Sequence, residues 1–163
     1  MIRTKASHLI FLLLLFTATC FAQLTGKVVS VEDGDTVTVL DATKQQTRVR
    51  LTGIDCPESG QDFGSEAKQD LSKIVYGEQG VIVGSKIDRY GRLVGKIILK
   101  GRDIDLDIVS AGLAWHYKEY AREQSPEDRR LYAAAEMNAR AAKKGLWSVS
   151  NAIPPWEFRK GRR

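Results

Sequence analysis

Residues Thr25 to Leu40 read TGKVVSVEDGDTVTVL, and the fold turns on how this stretch is understood. Val28, Val29 and Val31 precede an Asp33-Gly34 step, and Val37 and Val39 alternate with threonines after it. A period of two is the signature of a half-buried strand, and Asp-Gly between two such runs is a strong short-range signal for a hairpin. The stretch therefore predicts two antiparallel strands joined at Asp33-Gly34. A third strand is predicted from Thr47 to Ile54, with Val49 and Leu51 on one side and Arg48 and Arg50 on the other, so that Arg50 sits on a rigid element.

Working outward, Phe63, Ala67, Leu71, Ile74 and Val75 recur at helical spacing before Gly77. Val81 to Ile87 and Leu93 to Leu99 predict two more strands around the turn Asp88-Arg89-Tyr90-Gly91-Arg92. Ile104, Leu106 and Ile108 alternate like a strand, while Ile108, Val109, Gly112 and Leu113 suggest a helix, which is the favoured reading. The last helix has Ser125 as its cap, Pro126 in its first turn, Asp128 placed to return the cap's hydrogen bond, and Gly145 as its stop. Trp147 follows and is expected to dock on the core. Short strands need closure to hide their edges, so five strands with about three helices predict an α+β domain, mainly β: a Greek-key barrel of the OB type.

Composition narrows the rest. Of the 163 residues, Met1 to Ala22 combine Arg3 and Lys5 with the apolar run Leu9 to Phe16 and small residues, which predicts a signal peptide cleaved after Ala22 and a secreted or periplasmic product. Cleavage removes two basic residues and no acid, so the formal net charge falls from +5 to +3, a mild excess that suits a polyanionic partner. Of the cysteines and histidines only Cys56 and His116 remain. An internal disulfide, a zinc site on paired histidines and acid–base work by two histidines are thereby excluded. The expected unit is one domain over residues 23–150 followed by a basic extension over 151–163, and nothing in the chain demands more than a monomer.

Three patches carry chemistry: Asp33-Gly34-Asp35-Thr36, then Arg50 with Ile54-Asp55-Cys56-Pro57-Glu58, then Asp88-Arg89-Tyr90-Gly91-Arg92. Each alone is commonplace, because Asp-Gly turns and surface arginines abound. In this order, from about Val28 to Trp147, they resemble the thermonuclease family of staphylococcal-nuclease-like secreted DNases and RNases.

The resemblance implies that Asp35 and Asp55 are calcium-ligating carboxylates, with the carbonyl of Cys56 as a further ligand and Asp33 and Thr36 close behind. Two hard carboxylates and a carbonyl leave room for water and a phosphate, which suits the high oxygen coordination of calcium. It implies Glu58 as general base towards water, and Arg50 and Arg92 as the arginines that meet charge developing on the phosphodiester. Arg89 and Tyr90 fall where the family touches the substrate phosphate. Tyr117 or Tyr120 falls where it stacks a base, and Trp115 reads as core.

The implied activity is calcium-dependent hydrolysis of DNA and RNA with low sequence specificity, leaving 3′-phosphates. The rival reading is a non-catalytic OB module that binds single strands. Two departures from the family stand out. The loop from Ser59 to Gly64 is shorter and less lysine-rich than in the best-known members, which bears on duplex grip and product pattern. Cys56 replaces a familiar threonine, introducing a thiol open to oxidation.

Overall fold

The computed structural model describes residues 23–161; the leader expected at residues 1–22 lies outside them. Its strands are β1 (Gln23–Val31), β2 (Thr36–Asp41), β3 (Gln46–Leu51), β4 (Ile54–Asp55), β5 (Gln79–Ile87), β6 (Leu93–Leu99), β7 (Arg102–Asp103) and β8 (Trp115–His116). The α-helices are α1 (Gly64–Val75), α2 (Ile104–Ser110), α3 (Pro126–Ala141) and α4 (Pro155–Gly161).

β1, β2, β3, β5 and β6 make the predicted barrel. The strand order is β3-β2-β1-β5-β6-β7, and a parallel pairing of β3 with β6 closes it. Inward-facing Val37, Val39, Val49, Leu51 and Ile82 are almost wholly buried. Each such side chain contributes about 1.5–3 kcal/mol of burial relative to exposure. The consecutive valines that interrupt the alternation have a structural cause: Val28 pairs with Val39 and Ser30 with Thr38, leaving Val29 as a bulge.

Several local expectations are revised. The predicted third strand ends at Leu51, because Gly53 takes a φ of +70° and breaks the run into β3 and the separate β4, which pairs with β8. Gly34 does not adopt a positive φ; glycine is needed there because a Cβ would lie 2.7 Å from Cys56 Cβ and 2.8 Å from Ala67 Cβ. The segment after Asp103 is the favoured helix, capped by the Asp103 carboxylate accepting from Leu106 N at 3.1 Å. In α3 Ser125 Oγ accepts from Asp128 N at 3.0 Å, but the Asp128 carboxylate turns to Lys96 Nζ at 2.7 Å instead of completing a capping box. That helix stops at Ala141, short of Gly145, as Lys143 goes left-handed with a φ of +51°.

Trp147 docks as expected, edge-on to buried Trp115 with ring centroids 4.4 Å apart. The tail residues after Ile153 form α4, with Pro155 buried at its start. Among the described residues no helix is long and apolar enough to cross a membrane.

Candidate active site

The barrel's closure assembles the site. In the β2–β3 register Thr36 stands opposite Arg50, and in the β3–β6 register Arg50 stands opposite Val94, two positions beyond Arg92. Three patches far apart in sequence thus become neighbours on adjoining strands. They line one cleft of about 530 Å³, which also takes in Asp33, Asp55, Glu58, Arg89, Tyr90, Tyr117 and Tyr120.

Asp35 and Asp55 lie at its floor, 6% and 1% exposed. Arg50 bridges them, with Nη2 at 3.1 Å from Asp35 Oδ2 and 2.9 Å from Asp55 Oδ1, while Nη1 donates to the carbonyls of Leu51 and Ile54 at 2.7 and 2.9 Å. Cys56 N donates to Asp35 Oδ2 at 2.8 Å. Asp33 is half-buried and accepts from Asp35 N through Oδ1 at 3.0 Å, so it braces the turn that presents Asp35. Thr36 Oγ1 donates to Asp35 Oδ1 and accepts from Arg92 Nη1, both at 3.3 Å, linking a carboxylate of the floor to an arginine of the wall.

The charge balance of this floor is uneven. Burial pushes the carboxyl of Asp35 up to about 7; Arg50 opposes the shift, and the negative charges of Asp33 and Asp55 add to it. A group so raised marks a place where further positive charge is stabilising. The donors are all hard oxygens, which fits calcium and disfavours softer metals. Among the described residues no group of three or more His, Cys, Asp or Glu side chains is placed to hold a metal ion. A cation here would therefore rest on the Asp35–Asp55 pair, completed by backbone, water or substrate oxygens.

Arg92 belongs to the turn between β5 and β6. Asp88 organises that turn: its Oδ1 accepts from Tyr90 N at 2.8 Å and Arg92 N at 3.0 Å, and its Oδ2 accepts from Arg92 Nε at 2.8 Å. Sequence reasoning placed Asp88 in a turn and missed that it aims an arginine. An Asp four residues before Arg in a tight turn was the available signal. Tyr90 is exposed, with the Arg89 and Arg92 guanidiniums 4.8 and 5.3 Å from its ring centroid, and its hydroxyl accepts from Arg89 Nη2 at 2.7 Å. At the other end Tyr117 and Tyr120 lean together at 5.0 Å, and Lys86 Nζ lies 5.7 Å from the Tyr120 ring.

Two residues of the tail stretch Trp156 to Lys160, for which the sequence left packing, nucleic-acid binding or neither open, meet the cleft or its rim. Arg159 reaches in from α4, with Nη2 at 2.8 Å from Asp55 Oδ2 and Nη1 at 2.5 Å from Glu58 Oε1. Trp156, three residues earlier on the same helix, stacks on Tyr117 with centroids 5.2 Å apart and planes 13° from parallel. No periodicity in the tail signals that it folds back. His116 is buried with its Nε2 2.9 Å from Gln124 Oε1. The thiol of Cys56 is buried and donates to Gly34 O at 3.1 Å; burial, followed by the charge of Asp35, pushes its pKa well up. This corrects the expectation of an oxidation-prone site, since the reactive form is the thiolate.

Residues 48–149 match the family model described as staphylococcal nuclease homologue, from within β3 through the Glu58 loop and the Asp88–Arg92 turn. The chain belongs to this family. It is 36% identical over 159 residues to a micrococcal nuclease of Shigella flexneri, an alignment covering 92% of this chain and 88% of that one. It is likewise 36% identical over 152 residues to an uncharacterized endonuclease of Haemophilus influenzae, over 91% and 82% of the two chains. A staphylococcal-like nuclease of Arabidopsis thaliana is 41% identical over 116 residues, 71% of this chain but 34% of that larger protein. The OB-type barrel and the family assignment thus agree.

Proposed function

We propose that this staphylococcal nuclease homologue is an exported, calcium-dependent nuclease that hydrolyses phosphodiester bonds of DNA and RNA with little sequence preference and leaves 3′-phosphates. One observation carries the reading: Asp35, Asp55, Arg50, Arg92 and Glu58 converge on a single cleft by strand register. The leader-like residues 1–22 support export, and the names of the relatives support a nuclease.

In this reading Asp35 and Asp55 hold the cation, which supplies positive charge against the substrate phosphate. Arg50, with its neighbours' carboxylate charge so neutralised, and Arg92, held by Asp88, present N–H donors to oxygens on which charge builds as water attacks phosphorus. Such donors stabilise the transition state more than the ground state, which is the condition for raising turnover. Glu58 takes the proton of the attacking water as its oxygen bonds to phosphorus, the P–O5′ bond breaks, and the 5′-oxygen takes a proton from solvent. Arg89 and Tyr90 grip phosphate, and Tyr117 and Tyr120 offer aromatic faces to any base, which explains low sequence preference.

The test is digestion of plasmid, heat-denatured DNA and RNA by the purified chain with calcium chloride or with a chelator. Loss of substrate with calcium alone is expected, with products whose 5′ ends accept a phosphate label without prior dephosphorylation while their 3′ ends resist extension until dephosphorylated. Intact substrate across a range of pH with calcium present would sink the nuclease reading.

A further inference from the structure

α4 and its two cleft residues have no part in that chemistry, yet they occupy the places where it needs room. Arg159 sets one guanidinium against both Asp55 and Glu58, in that reading the cation ligand and the water-activating carboxylate. Trp156 lies flat on Tyr117, on an aromatic face of the kind that stacks a base. A guanidinium in a cation's position and an indole in a base's position are three residues apart, one turn of the same helix.

The contacts of α4 are ones that a bound cation could replace. Arg159 is 41% exposed, so water reaches its guanidinium, while its partner Asp55 is 2% exposed and is stabilised by whichever positive charge stands against it. A cavity of about 200 Å³ lies between the tail and the body, lined by Pro57, Phe63, Trp115, Ile153 and Phe158. The backbone N–H groups of Glu157 and Phe158 donate to Pro154 O, within the tail itself. Gln61 Nε2 donates to Ile153 O at 3.0 Å, which ties down the chain just before α4.

We propose that α4 is an autoinhibitory strap: Arg159 holds the acids in place of the divalent cation, Trp156 covers Tyr117 in place of a base, and cation and substrate bind by lifting the helix. The proposal rests on the calcium reading above, and its test separates the two. Binding to a cleft that is open only a fraction of the time is weakened by that fraction.

Calcium affinity is measured by calorimetry on the wild-type chain and on Arg159→Gln, Trp156→Ala and Lys160→Gln, with tryptophan emission followed alongside. Arg159→Gln should tighten calcium binding by about tenfold, the gain expected if the strap is closed nine times in ten. Trp156→Ala, which touches no carboxylate, should tighten it several-fold as well. Lys160→Gln, which removes an exposed charge from the same helix, should match wild type. Calcium should red-shift the wild-type emission as Trp156 leaves Tyr117, and Trp156→Ala should abolish that shift.

Equal affinities in wild type and Arg159→Gln would overturn the strap while leaving the calcium reading intact. So would weaker binding in Arg159→Gln, which would make the arginine a support of the site. Tightening by Arg159→Gln without any change in Trp156→Ala would reduce Arg159 to a local point charge and also overturn the strap. No calcium heat in any chain would overturn the calcium reading and the strap with it.

Discussion

Asp88 illustrates how a single residue conditions the cleft. Its carboxylate accepts two backbone N–H groups and the Arg92 side chain, so it closes the turn and aims the arginine together. Although burial pushes its pKa up, the hydrogen bonds from Arg92 and Tyr90 outweigh that and hold it below the ordinary 3.8. A depressed pKa in the fold means the unfolded chain takes up the proton first as pH falls. The stability this group contributes is therefore present above about pH 4 and lost in more acid solution, as its folded pKa is passed. Wild type should exceed Asp88→Asn by about 1–3 kcal/mol at neutral pH, the worth of hydrogen bonds to a charged group. Urea midpoints should converge towards pH 2. A gap that stays constant with pH would mean that Asp88 acts by shape alone.

Between elements, the decisive contact is the loop between β1 and β2 lying on α1 and the Glu58 segment. Gly34 passes so close to Cys56 and Ala67 that a Cβ would stand under 3 Å from both. Both neighbours are buried, and neither can swing aside as the end of a flexible chain would. Gly34→Ala should therefore cost about 1–3 kcal/mol, as other overpacked substitutions do. Because Asp35 is the next residue, the same variant should weaken calcium binding more than Ser59→Ala, a change at an exposed position of the loop after Glu58. Thermal melts and calorimetry of the two variants make the comparison, and a Gly34→Ala chain as stable as wild type would refute the close-approach argument.

For the molecule as a whole, the closed barrel shields Cys56 from solvent, so its thiol should report on global opening. In a Cys20→Ser chain, a thiol reagent should label Cys56 only as fast as the barrel opens, and labelling should accelerate with urea in step with the loss of β structure. Rapid labelling in the folded state would place an opening near the Asp35 loop well below global unfolding.

The alternation in residues 25–40, the arginine on β3 and the N-cap of α3 follow from local rules: side chains alternate across a strand, and a serine oxygen satisfies a helix's free N–H. The barrel and the residues of the cleft were legible for that reason, together with a family pattern in three patches. What the chain could not display locally lies in the closing register and in the tail. The parallel pairing of β3 with β6 sets Arg50 beside Val94 through residues more than forty positions apart, and that pairing brings two separate arginines to one cleft. Trp156 and Arg159 carry no periodic sign of a partner, because their contacts with Tyr117, Asp55 and Glu58 are made across the molecule. Local sequence determined the elements and the chemical groups they carry. Tertiary structure decided which charges meet, because a carboxylate's behaviour depends on the burial and the neighbouring charges that only the closed fold provides.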